Sequence, residues 1–82
     1  MAIGILPSHQ GSGIGAEAMR YIETVLSKQG ANVLLVETSG EAAFERTRMF
    51  YRKNDYVEEA RIRDFYEDGV DKVIFWKKLA AQ

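Results

Sequence analysis

Three glycines spaced two apart, Gly11, Gly13 and Gly15, separate a short apolar run from the longest amphipathic stretch of this chain. Glycine costs a helix roughly 1 kcal/mol relative to alanine. Three of them at the start of a helical pattern therefore make poor sense as packing alone. The arrangement constrains the chain to a strand, an open loop and a helix beginning just beyond it. No side chain at those positions obstructs an approaching ligand. The unpaired backbone N–H groups and the helix dipole both favour an anion there. The pattern calls for a ligand of the nucleotide type, carrying phosphate.

The rest of the chain is read outward from that junction. Residues 2–6 form an apolar run stopped by Pro7, and predict a strand. The spacing of Ile14, Ala18, Ile22 and Leu26 predicts a helix over 13–29, ended by Gly30 in the left-handed conformation. Residues 32–37 are apolar on both faces, which predicts a central strand parallel to the first. Thr38 and Glu41 have capping-box spacing ahead of a second helix over 41–53. That helix sets Ala43, Thr47, Phe50 and Tyr51 along one side, and Asn54-Asp55 closes it. Alternation over 56–63, a turn at Glu67-Asp68-Gly69 and an apolar run over 71–79 predict an antiparallel hairpin with a long connection. The order strand-helix-strand-helix-strand-strand is that of an α/β layer with a mixed β-sheet.

Composition narrows the function classes. Eighty-two residues make a single domain, 1–82, with a small core. The sequence has no cysteine, so disulfides and thiolate metal sites are excluded and a reducing, cytoplasmic setting is expected. A formal net charge of −1 leaves no basic excess for a nucleic-acid partner. The longest apolar runs, 33–36 and 73–76, are too short to cross a bilayer, and no signal peptide is evident.

Three loop types compete for 10–15. A P-loop needs Lys-Ser/Thr after its last glycine, whereas Ala16-Glu17 follows here. A Rossmann fingerprint fits the spacing of Gly11, Gly13 and Ala16, with Glu37 at the end of the next strand. Yet Pro7-Ser8-His9-Gln10 stands between strand and glycines, and the chain is short for that fold. The third candidate is the order Pro7-x-x-Gln10-x-x-Gly13-x-Gly15, which resembles the acetyl-CoA pyrophosphate signature of the GNAT superfamily of N-acetyltransferases. The segment 47–56 also resembles that family's tyrosine-bearing helix and the aromatic opening its next strand, and Val36-Glu37-Thr38-Ser39 resembles the end of its fifth strand.

This resemblance runs from Ile3 to Leu79 and implies the C-terminal half of the GNAT fold. It implies that the amides of Gly11, Ser12, Gly13, Ile14 and Gly15 hold the pyrophosphate of acetyl-CoA (coenzyme A), with Gln10 orienting the loop. Ile5 and Leu6 would lie along the pantetheine arm, which pairs with a splayed first strand. Tyr51 would be the general acid that protonates the departing CoA thiolate. Glu37, a carboxylate at a strand end on the expected acceptor side, is the candidate base. The sequence departs from the family pattern at Phe44, Thr47 and Asp55, which stand where asparagine, alanine and glycine are usual. Met1 falls inside what resembles the fourth strand, so the segments that shape an acceptor pocket have no counterpart here.

Each of these residues also has a purely structural reading. Tyr51 beside Phe50 is a natural core aromatic, and Glu37 a natural surface or cap-supporting carboxylate. His9 reads as an exposed loop residue and Trp76 as packing. Arg46, Arg48, Arg52 and Lys53 read as a solvated face from which Arg52 or Lys53 could reach a ribose phosphate. Three function classes follow: acetyl transfer from acetyl-CoA to an amine, a CoA-binding module without catalysis, and a structural dimerisation domain. The apolar first strand at a sheet edge implies a homodimer or a partner chain supplying strands.

Overall fold

The computed structural model describes residues 2–7 and 15–79. Its elements are β1 (Ala2–Pro7), α1 (Ala16–Lys28), β2 (Ala31–Ser39), a 3-10 turn (Ala42–Phe44), α2 (Glu45–Lys53), β3 (Val57–Glu67) and β4 (Val70–Lys78). One four-stranded sheet has the order β1-β2-β4-β3. β1 runs parallel to β2, joined through α1, whereas β4 is antiparallel to both its neighbours. The mixed sheet and the order of elements match the expectation. β2 is central and parallel to β1, as a strand apolar on both faces should be.

Register divides the side chains between two faces. Gly4–Leu34–Lys77 and Leu6–Val36–Phe75 form rows on one face, with Thr38 opposite Val73. Leu34, Val36, Thr38, Val73 and Phe75 are fully buried beneath the helices. Burying a large apolar side chain contributes about 1.5–3 kcal/mol, so this row set decides where α1 and α2 lie. α1 contributes Met19, with Ile22 and Leu26 packed beside it. Of the expected stripe, Ile22 and Leu26 face the core, Ala18 is exposed with Met19 in the core position of that turn, and Ile14 lies outside the described residues. Met19 stands three and seven residues before Ile22 and Leu26, on the same face, and fills more volume against the sheet than alanine can. Gly4 lets α1 approach closely, because a Cβ there would stand 2.8 Å from a Leu26 methyl carbon.

A polar clamp crosses the same layer. The Tyr56 hydroxyl donates to Glu23 Oε2 at 2.6 Å, and Lys77 Nζ reaches both Glu23 oxygens at 3.1 Å and the Asn54 carbonyl at 3.0 Å. It ties α1 to β4 and to the turn after α2.

The junctions refine several expectations. The helix after β2 starts as a 3-10 turn, and its cap is not the Thr38–Glu41 box. Ser39 Oγ instead accepts from the Glu41 amide at 3.1 Å and donates to Glu41 Oε1 at 3.2 Å. Thr38 is still part of β2 and wholly buried, so it is unable to cap. Ala43 is exposed, while Tyr51 is the buried residue of α2. Gly30 at φ 92° and Asp55 at φ 70° adopt the left-handed geometry expected of them. The hairpin connection is not long: β3 continues to Glu67 and turns through Asp68-Gly69. Irregular register near Asp64, at φ 55°, absorbs the extra residues. There the Asp64 amide and the Arg61 guanidinium hold the Asp71 carboxyl below its usual range.

Candidate functional site

The glycine junction enters the structure at its helical end. Gly15 is the N-cap of α1, with extended backbone at φ −91° and ψ 172°, and no side chain caps the helix. No described atom lies within 4 Å of where a Cβ on Gly15 would stand. Neither backbone conformation nor described packing therefore requires glycine at this position. The first amides of α1 lack intrahelical partners, as at any helix start. An open groove of about 700 Å³ runs along this end of α1, lined by Gly15, Glu17, Ala18, Tyr21 and Ile22. Amides, helix dipole and open approach suit an anion, whereas the Glu17 carboxylate on the same turn opposes one. Gln10, Gly11, Ser12, Gly13 and Ile14, and with them His9, lie outside the described residues.

β1 leads into this junction from the sheet edge. Its pairing with β2 continues to Pro7↔Glu37, so the splaying expected along Ile5 and Leu6 is absent over residues 2–7. The parallel register is regular from Ile3 to Pro7, after an irregularity between Ala2 and Ile3. Leu6 points to the core, whereas Ile5 is 60% exposed on the opposite face.

The two catalytic candidates stand on opposite faces of the sheet. Tyr51 is 2% exposed, its ring in contact with those of Phe50, Tyr56 and Phe75 at centroid distances of 5.3, 5.4 and 5.7 Å. Glu37 projects from the other face and accepts an ion pair from Lys72 Nζ at 2.8 Å. That ammonium also lies 4.2 Å from the centre of the Phe65 ring. The basic cluster of α2 does not act as one face either. Arg48 turns inward and donates to the carbonyls of Ser39 and Glu41, both at 2.8 Å. Arg52 pairs with Glu58 at 3.1 Å and lies over the Phe75 ring. Trp76 is only half-buried, on the face away from the helices.

Sequence reading missed the Glu23–Tyr56–Lys77 clamp, whose members are 33 and 54 residues apart. Burial, then the bond to Glu23 and its charge, push the Tyr56 phenol well above the usual tyrosine value. The inward turn of Arg48 was equally invisible, since nothing local distinguishes it from its neighbours. No group of residues that could hold a metal occurs among the described residues, and no helix there is long and apolar enough to cross a membrane.

A strand, a glycine-bearing junction, a helix and a tyrosine-bearing helix over a mixed sheet define a small α/β domain. The model of the acetyltransferase (GNAT) family matches residues 1–56. Among solved structures, a GNAT-family protein from Desulfovibrio desulfuricans is 32% identical, with a TM-score of 0.78 over 87% of this chain and 45% of its own. An aminoglycoside 6'-N-acetyltransferase complexed with coenzyme A shares the fold at 14% identity and TM-score 0.69, over 89% of this chain and 53% of its own. A ribosomal-protein alanine N-acetyltransferase from Escherichia coli does so at 18% identity and TM-score 0.68, over 89% and 48%. No curated protein sequence matches. The chain belongs to the GNAT acetyltransferase family. It spans about half the length of these structural relatives.

Proposed function

We propose that residues 1–82 form a single acetyl-CoA-binding domain that takes part in acetyl transfer to a primary amine. The observation that carries this reading is the β1–glycine loop–α1 junction in a chain of this family, with Gly15 open at the helix start. The amides of 11–15 would receive the cofactor pyrophosphate, outweighing the charge of Glu17, with Gln10 orienting the loop. Ile5 and Leu6 would flank the pantetheine arm where β1 leads into the loop. When bound, acetyl-CoA supplies an activated thioester. An acceptor amine would attack the thioester carbonyl carbon as the C–S bond breaks, and the departing sulfur would need a proton. Tyr51 would hold that proton on its phenol oxygen. Glu37, on the face of the sheet opposite Tyr51, would take the proton lost by the amine only where the acceptor enters from that face and Lys72 releases its carboxylate.

A second reading has its own support. Glu37 is engaged by Lys72, Tyr51 is enclosed by aromatics, and the chain spans about half of its relatives. On that reading the domain binds coenzyme A and acts through a second copy or a partner chain. The cysteine-free sequence suits a reducing, cytoplasmic setting for either.

Calorimetric titration with acetyl-CoA tests the common core of both. The wild type should bind, and Gly13→Val should lose at least tenfold in affinity with an unchanged circular dichroism spectrum. Absence of binding at millimolar cofactor would overturn the reading. Thiol release against a panel of amines then separates catalysis from binding alone.

A further inference from the structure

Both helices pack on one face of the sheet, and on the other the row Ile5–Leu35–Trp76–Val57 crosses all four strands. Four residues along β4 from Trp76, Lys72 stands on that same face, between Ser39 on β2 and Ile62 on β3. Lysine side chains are mostly exposed, yet this one is only 12% exposed. Its ammonium is held from two sides. Glu37 Oε1 lies 2.8 Å from Nζ, and the centre of the Phe65 ring 4.2 Å away. The Phe65 ring is braced edge-on by Tyr66, at 5.0 Å between centroids, and is itself 49% exposed.

We propose that the Glu37 carboxylate and the Phe65 ring form a binding site for a primary alkylammonium group, which Lys72 fills in the ligand-free domain and yields to the acceptor amine. Lys72 is itself a primary ammonium on an unbranched carbon stem, so its fit measures the fit of such a ligand. A carboxylate oxygen takes one N–H at charge-assisted distance, and an aromatic face takes the remaining charge well inside the 6 Å range of cation–π attraction. Fold stability is a poor account of the pair. An ion pair this far out of water gives back in desolvation much of what it gains in attraction. Its place in the sheet favours a ligand. Glu37 pairs with Pro7, the last residue of β1, from which the chain enters the glycine loop. Ligands of open α/β sheets bind at the carboxyl ends of parallel strands, and β1 and β2 are the parallel pair. Lys78, on the same face, stands opposite Val33, four residues along β2 from Glu37, and is too distant to replace Lys72. The chemistry selects the ligand class: Glu37 repels carboxylates and phosphates, a quaternary ammonium has no N–H to donate, and an alcohol leaves the carboxylate without a cation. That the ligand is the acceptor rests on the amine reading given above.

Titration with n-butylammonium chloride, followed by the NMR signals of the Phe65 ring at constant ionic strength, tests the site without cofactor. Lys72→Ala should bind it saturably with a dissociation constant of about millimolar, as suits one ion pair and a short apolar stem. The wild type should bind at least tenfold more weakly, because the tethered ammonium competes at an effective concentration on the order of millimolar or more. In Lys72→Ala, tetramethylammonium and n-butanol should each bind at least tenfold more weakly than n-butylammonium. Adding Glu37→Gln to Lys72→Ala should cost at least tenfold as well. Circular dichroism checks each variant, and Lys72→Thr, whose side chain suits a strand, replaces Lys72→Ala where that one does not fold. No saturable binding to the folded Lys72 variant overturns the proposal. So does equal binding to the wild type, or binding that survives Glu37→Gln. Acetyl-CoA is absent throughout, so failure here leaves the cofactor reading standing, and failure of the calorimetric titration leaves this site standing.

Discussion

Tyr56→Phe isolates one atom of the clamp that holds α1 to the sheet. The hydroxyl donates at 2.6 Å to a carboxylate, and Tyr56 is 3% exposed. A hydrogen bond to a charged group contributes about 1.5–3 kcal/mol, and more of the desolvation cost remains when a partner is orphaned. Glu23 is not orphaned, because Lys77 still reaches both of its oxygens. The phenylalanine ring keeps its packing on Tyr51, so the loss should fall at the lower end, about 1.5–2 kcal/mol. In a domain this small that is a drop in Tm of roughly 6–15 °C. Urea unfolding followed by Trp76 fluorescence measures it, with an unchanged m-value. The sign of the pH dependence follows from the raised phenol. The folded state holds the proton above the unfolded value of about 10, so this stability is complete below that pH. It is lost as pH rises beyond 10 towards the folded value. The gap between wild type and Tyr56→Phe should therefore narrow between pH 10 and 11.5, other tyrosines cancelling in the difference. A loss below 0.5 kcal/mol at pH 7, or a gap that stays constant to pH 11.5, would refute the assignment.

Other substitutions address the site. Tyr51→Phe should lower kcat for acetyl transfer about a hundredfold or more with KM for acetyl-CoA nearly unchanged, if the phenol protonates the leaving thiolate; steady-state kinetics with chemistry rate-limiting decides it, and unchanged turnover leaves Tyr51 as core only. Arg48→Met removes both bonds to the Ser39 and Glu41 carbonyls. It should cost about 1–2 kcal/mol in urea unfolding and speed amide exchange over 40–44, and unchanged exchange there would refute the clamp.

Periodicity, breakers and glycines made most of the fold legible. Residues 32–37 carry apolar side chains on both faces, as suits a central strand flanked by strands on both edges, and β2 is that strand. Gly30 and Asn54-Asp55 mark helix ends because few other residues tolerate the geometry there. At Gly15, by contrast, no described packing or backbone strain accounts for the missing side chain.

What only the tertiary structure decided are properties of contacts distant in sequence. That Met19 rather than Ala18 joins Ile22 and Leu26 against the sheet was settled by the fit to the buried row of Leu34 and Val36. The long β3 and its two-residue turn arise because register with β4 can continue past an irregularity at Asp64. Glu23, Tyr56 and Lys77 look like separate surface residues until a helix and two strand ends bring them within 3.1 Å. Arg48 and Arg52 stand one turn apart on the same side of α2, yet one reaches the backbone carbonyls before the helix and the other Glu58 beyond it, because their partners flank opposite ends of the helix. Alternation tells that a strand has two faces; only the packing of both helices on the same one leaves the row from Ile5 to Val57 uncovered.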